Sequence, residues 1–151
     1  MKIKTLDGKT VLADVPTLAG MRLPAATNLS YANLVEDDLS GAHLELVEFE
    51  YADCSGADLS KCSLNAASFA FSKGQFADFS GAGAEQVDFY SSNLRGAVFR
   101  SARLQRSSFY GCDLRGADFC HAKLHLTDFR GARLQGANFE GADICYSIFS
   151  N

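Results

Sequence analysis

Much of what usually classifies a chain is missing from these 151 residues. No apolar run approaches the length of a membrane-spanning helix, so no bilayer span is expected. The opening stretch, Met1-Lys2-Ile3-Lys4-Thr5-Leu6-Asp7, has neither an apolar signal core nor a cleavage site. That argues against export and makes the cytoplasm the expected compartment. Cysteine is sparse: five residues, an odd number, with no CxxC spacing. Such usage speaks against a disulfide framework and suits a reducing compartment. HExxH, GxSxG, a phosphate-binding loop and a dinucleotide fingerprint are all absent, so the chain reads as non-enzymatic and without a cofactor.

The remaining composition is that of one domain with a sizeable core. Hydrophobic residues make up 47% of the chain and mean hydropathy is -0.04, values of a globular chain rather than a disordered one. The net charge of -4 conceals a polarity. Residues 1–90 hold 6 Lys/Arg against 13 Asp/Glu, and residues 91–151 hold 8 against 5. An asymmetry of this kind bears on association, not on fold.

An internal repeat organises nearly everything else. From Leu29, every fifth residue to Phe149 is large and apolar, with Cys54, Gly74 and Ala84 as the exceptions in kind or size. Two residues before each centre the side chain is small, mostly Ala, as at Ala32, Ala57, Ala97 and Ala137. Two residues after it glycine recurs, as at Gly41, Gly56, Gly81, Gly116 and Gly141. A period of five is neither helical nor a plain strand alternation. It describes a short extended segment and a tight corner, where glycine relieves the backbone.

Units such as Gly116-Ala117-Asp118-Phe119, Gly136-Ala137-Asn138-Phe139 and Ser55-Gly56-Ala57-Asp58-Leu59 resemble the A(D/N)LXX signature of the pentapeptide-repeat family. The resemblance covers residues 27–151 and implies an all-β fold, a right-handed quadrilateral parallel β-helix with four pentapeptides per coil. The centres alternate with a period of ten, and on the four-sided coil that the resemblance implies this alternation becomes two opposed phenylalanine stacks. Ten of the twelve phenylalanines fall in two alternate columns, Phe49 to Phe149 and Phe79 to Phe139. Strand spacing then gives roughly six coils and a rod on the order of 30 Å long. Residues 1–26 read as an N-terminal cap: Ile3 to Leu12 form a β-hairpin about Asp7-Gly8, and Pro16 and Pro24 bracket a connector. The coil holding Gly74 and Ala84 is expected to be under-filled unless neighbours lean in, with Phe71 or Phe76 folding over the gap.

Several surface patterns invite function. Tyr31, Tyr51 and Phe71 are twenty apart, and Tyr90 and Tyr110 continue the same face one position earlier in the repeat. Together they form an outward aromatic stripe, either a ladder that supports neighbouring coils or a partner interface. Asp38, Asp58, Asp78 and Asp118 form an acidic row interrupted by Val98. The row either imitates the phosphates of duplex DNA, whose charges are more densely spaced, or caps corner amides. Asp37 stands where Ala or Ser belongs, and is expected to bond backbone amides where the cap docks. Cys54, Cys62 and Cys112 are expected to be buried and inert. A zinc site from Cys120, His121, His125 and Cys145 would need side chains on separate faces to converge, so they read as unrelated surface residues.

Two functions fit. The first is an interaction module that binds a protein partner through the stripe or its ends. The second, implied by resemblance to the family branch that protects DNA gyrase from quinolones, is a DNA-mimicking topoisomerase regulator. That branch is acidic along its rod and dimeric through its C-terminal end. Arg95, Arg115 and Arg133 near one column count against phosphate mimicry. Direct nucleic-acid binding is not expected, because the basic half lacks a dense cluster. Phe139, Ile144, Ile148 and Phe149 leave apolar surface on the final coil, and a homodimer through that end is expected to cover it.

Overall fold

The computed structural model of the protein describes residues 3–5, 10–12 and 17–150. Each five-residue unit makes one side of a four-sided coil and the corner that follows. After the inward centre the chain reverses within three residues, and the third amide bonds back to the centre's carbonyl. Ala32 N to Leu29 O (3.0 Å) and Ala117 N to Leu114 O (3.0 Å) are representative. Two residues after each centre φ is positive, as at Tyr31 (61°), Leu46 (62°), Gly116 (68°) and Tyr146 (57°). A four-residue turn with positive φ at its third residue is a type II turn. Glycine suits that place, yet sixteen corners hold another residue, each at a steric cost of about 1 kcal/mol.

What offsets this cost is stacking. Residue n bridges residue n+20 in parallel, in six steps from Asn28↔Glu48 to Asp128↔Ile148. Amides and carbonyls close the gap between coils, as in Leu29 N to Glu48 O (2.7 Å) and Asp53 N to Ala32 O (2.9 Å). The result is a right-handed quadrilateral β-helix. Where the small inward residue is polar and buried, it donates to a carbonyl twenty-three residues earlier, except at Ser72, whose hydroxyl pairs with Ser92 Oγ (3.4 Å). Ser92 Oγ reaches Phe69 O (2.6 Å), Ser107 Oγ reaches Ala84 O (2.8 Å) and Thr127 Oγ1 reaches Leu104 O (3.0 Å). Buried hydroxyls are thereby satisfied. Cys62 and Cys112 make the same bond through sulfur, to Leu39 O and Phe89 O. Burial pushes both thiols up to about 12 and raises Cys54 as well, so these cysteines are inert packing residues.

The interior is a herringbone of phenyl rings. Within one column the rings stack, as in Phe89–Phe109 at 4.9 Å and 9°. Between columns they meet edge to face, as in Phe69–Phe79 at 5.7 Å and 86°. Both arrangements suit the ring quadrupole and are worth about 0.5–1.5 kcal/mol per pair beyond burial. Beside Gly74 the expected gap is closed from the next coil. A Cβ on Gly74 would lie 2.9 Å from Leu94 Cδ2, so Leu94 occupies the space. Neither surface phenylalanine folds inward: Phe71 joins the stripe, and Phe76 stays 70% exposed, its ring against Gly96.

The coil path starts before residue 27. Leu18 and Leu23 are already in the core, and Arg22 bridges His43, twenty-one residues on rather than twenty. The extra residue is absorbed at Pro24–Thr27, where Thr27 N and Oγ1 both bond Pro24 O and Ala26 takes φ 59°. Farther upstream, β1 (Ile3–Thr5) pairs antiparallel with β2 (Thr10–Leu12) and with β3 (Ala32–Asn33). The Asp7-Gly8 turn lies outside the described residues. Asp37 is half-buried, and burial pushes its carboxyl above the ordinary value.

The corner glycines separate strain from contact. A Cβ on Gly116 would meet nothing within 4 Å, whereas one on Gly96 would lie 2.6 Å from Phe76 Cε1. Gly116→Ala is therefore expected to cost about 1 kcal/mol in urea unfolding from backbone strain alone. Gly96→Ala should cost more, and adding Phe76→Ala should bring the two losses level.

Candidate interaction surfaces

The corners that carry Tyr31, Tyr51 and Phe71 direct these rings outward with φ of 58–61°. Tyr31 stacks on Tyr51 (5.0 Å, 5°) and Tyr51 on Phe71 (5.1 Å, 7°). Phe71 meets Tyr90 edge to face (5.3 Å, 79°), and Tyr90 stacks on Tyr110 (5.6 Å, 9°). All five anticipated stripe residues thus touch in series over five coils. Each still has 40–46% of its surface exposed. Ring faces are spent on neighbours, and ring edges form the free ridge. The ladder has a sixth rung that sequence reasoning passed over: Arg130 Cζ lies 5.7 Å from the Tyr110 ring centroid. Its signal is the spacing, since Arg130 follows Tyr110 by one coil length.

The acidic row is built differently. Asp38 Oδ1 accepts from Ser40 N (2.9 Å), Asp58 from Ser60 N (2.9 Å), Asp78 from Ser80 N (2.8 Å) and Asp118 from Cys120 N (3.0 Å). Each carboxylate therefore caps the corner that follows it. Asp118 is also gripped by Arg100 Nε. Elsewhere the same position holds a guanidinium across one corner. Arg115 Nε lies 2.8 Å from Asp113 Oδ1, and Arg130 Nη2 lies 2.7 Å from Asp128 Oδ2. Side-chain bonds from these arginines hold Asp113 and Asp128 below the usual carboxylate range. The Ser40 contact does the same for Asp38.

Other anticipated residues do not converge. Cys120 is half-buried, His121 and Cys145 are exposed, and no metal-binding group of three or more ligands forms among the described residues. His121 instead lies against Gly141, and His125 meets the ring of Tyr146. On the last coil Phe139 is half-buried, while Ile144, Ile148 and Phe149 are exposed. No helix among the described residues is long and apolar enough to cross a membrane.

Comparison with known proteins follows the same repeat. The family described as "Pentapeptide repeat region" matches residues 82–151, and "Pentapeptide repeats (8 copies)" matches residues 27–65 and 52–89. The chain belongs to the pentapeptide-repeat family. Among solved members, a pentapeptide-repeat protein of the Arabidopsis thaliana thylakoid lumen is 27% identical, with a TM-score of 0.54 and 68% of each chain covered. Full-length QnrB1, a plasmid-mediated fluoroquinolone resistance protein, is 17% identical, with a TM-score of 0.51, 87% of this chain and 90% of that one covered. HetL, involved in heterocyst differentiation regulation in the cyanobacterium Nostoc, is 24% identical, with a TM-score of 0.43, 87% of this chain and 75% of that one covered. No curated protein matches the sequence. The coil is therefore shared with the thylakoid-lumen protein and with full-length QnrB1, and a shared fold does not assign a role.

The capped carboxylates set an acid limit. A carboxylate held below its ordinary value stabilises the fold above the unfolded pKa of about 4, and that stability is lost as pH falls through the depressed value. Asp37, pushed upward, acts in the opposite sense. Thermal melts are expected to be level from about pH 6 to 8 and to drop below about pH 4. Asp113→Asn combined with Asp128→Asn should lower the neutral melting point and flatten the acid drop.

Proposed function

We propose that this chain is a non-enzymatic interaction module, a stiff rod that engages a protein partner along its aromatic stripe. The observation that carries this reading is the series of five rings, each 40–46% exposed and aligned over five coils. Exposed aromatic surface concentrated in one line is what interfaces enrich. Three of these rings sit at left-handed corners where glycine would relieve strain. The polar repeat residues are committed elsewhere, with Asp to corner amides and Ser and Thr to carbonyls. That supports a scaffold rather than a catalyst. Five free cysteines are in keeping with a cytoplasmic setting.

A DNA-mimicking regulator of gyrase or another topoisomerase fits this surface less well. Three carboxylates, Asp38, Asp58 and Asp78, run in register before Val98 interrupts them. Their spacing of about 4.8 Å is much wider than the roughly 1.7 Å per charge of duplex DNA. Arg100, Arg115 and Arg130 neutralise acidic residues farther along.

Affinity capture from the native host tests the first reading. Tyr51→Ser with Phe71→Ser is expected to weaken capture of the specific partner at least about tenfold. Circular dichroism should keep the wild-type spectrum and a cooperative melt, lowered by several degrees through the lost ring stacking. A partner retained by that variant would overturn the assignment to the stripe. Gyrase supercoiling, run beside it, is expected to be unaffected by the protein.

A further inference from the structure

We propose that the stripe's partner is a second copy of this chain, laid antiparallel alongside the first. The proposal rests on reading the stripe as a contact surface and deepens it in three steps.

The first is period. The rungs Tyr31, Tyr51, Phe71, Tyr90 and Tyr110 follow one another at 5.0–5.6 Å between ring centroids. Because ring faces are covered by their neighbours, a partner meets a ridge of edges repeating at the strand spacing of about 4.8 Å. Only a partner with the same repeat meets every rung in the same way. An α-helix advances about 5.4 Å per turn and falls half a rung out of step over four rungs. A second copy has the required repeat by construction.

The second is symmetry. Counting Arg130, the ladder has six rungs, and its middle lies between Phe71 and Tyr90. There the ladder changes character, from stacked to edge-to-face at 79°. The first three rungs stand two residues after their centres Leu29, Phe49 and Phe69. The last three stand one residue after Phe89, Phe109 and Phe129. A two-fold axis through that midpoint opposes Phe71 to Tyr90 of the second copy, Tyr51 to its Tyr110, and Tyr31 to its Arg130. Corner rungs then face flank rungs throughout, so the two ridges lie side by side instead of meeting tip to tip. At each end an arginine reaches a tyrosine ring, a favourable cation–π contact.

The third is charge. Residues 1–90 hold 13 acidic against 6 basic residues, and residues 91–151 hold 5 against 8. The stripe face itself carries Glu48 and Glu50 in its first half and Asp88, Asp128 and Arg130 in its second, with Arg130 paired to Asp128. The difference in charge therefore lies on the flanking faces of the coils. Parallel copies would set like charge beside like. Antiparallel copies set acidic coils beside basic ones, which favours one orientation over the other. Burying the exposed parts of six rungs removes on the order of 500 Å² per copy, short of the roughly 800 Å² of a standard interface. A micromolar dimer is the expected strength.

Light scattering and sedimentation equilibrium up to roughly 100 µM are expected to show a reversible dimer. Phe71→Glu should raise the dissociation constant at least about tenfold while the melt stays cooperative, lowered by only the few degrees that two lost ring contacts cost. Tyr51→Glu serves as a second probe should Phe71→Glu disturb the coil. With Cys120→Ser and Cys145→Ser as background, mixing Phe71→Cys chains with Tyr90→Cys chains should give a mixed disulfide. Mixing Tyr31→Cys with Tyr51→Cys should not. A monomer mass at the highest concentration overturns the proposal. So does a dimer that survives Phe71→Glu and Tyr51→Glu and is split by Phe149→Asp, since that dimer meets end to end. If the chain is monomeric while the stripe double variant still loses a foreign partner in affinity capture, self-pairing falls and the interaction module stands.

Discussion

A chain that must change direction every five residues needs one backbone site per unit in the left-handed region, and this requirement governs the rest of the molecule. The corner residue takes φ between 53° and 74° whether it is Gly136 or Ser91. That fixes the next strand segment's direction, which fixes the centre inward and the twenty-residue return. Because the corner conformation is unfavourable for most side chains, no single coil could hold it. Parallel bonds to the coils on either side keep it in place, so local strain and long-range stacking depend on each other.

The corners also decide how the surface is used. Glycine at a corner leaves a seat into which the side chain of the preceding coil settles. Glu36 lies against Gly56, Phe76 against Gly96 and His121 against Gly141. Where three successive corners instead carry Tyr31, Tyr51 and Phe71, no side chain can lie down, and the rings stand up against one another. The first three rungs of the stripe thus stand where the seats on that face are filled.

The fold was legible in the residues because a five-residue period has few physical solutions, and the centres from Leu29 to Phe149 announce it without interruption. Less legible was anything that breaks the period. Leu18 and Leu23 belong to the core, but the extra residue at Pro24–Thr27 shifts them out of the count. Leu94 fills the space beside Gly74 by leaning along the axis, a displacement that no pattern of residue types encodes. The carbonyl partners of Ser92, Ser107 and Thr127 are set by the offset between coils, which the sequence does not state. The stripe was legible as alignment, since residues twenty apart must stack, but its Arg130 rung carries no aromatic side chain to mark it.

One further consequence lies in the direction of the hydrogen bonds. The contacts that join coil to coil, such as Leu29 N to Glu48 O and Phe109 N to Asp128 O, run parallel to the long axis. A tensile load along that axis passes in series through every coil, and each layer resists it with only the few bonds of one coil-to-coil contact. The weakest contact opens first. Compression presses the same bonds together and is shared by every layer. As a mechanical element the molecule is therefore a strut and a poor tether, well suited to holding two bodies apart.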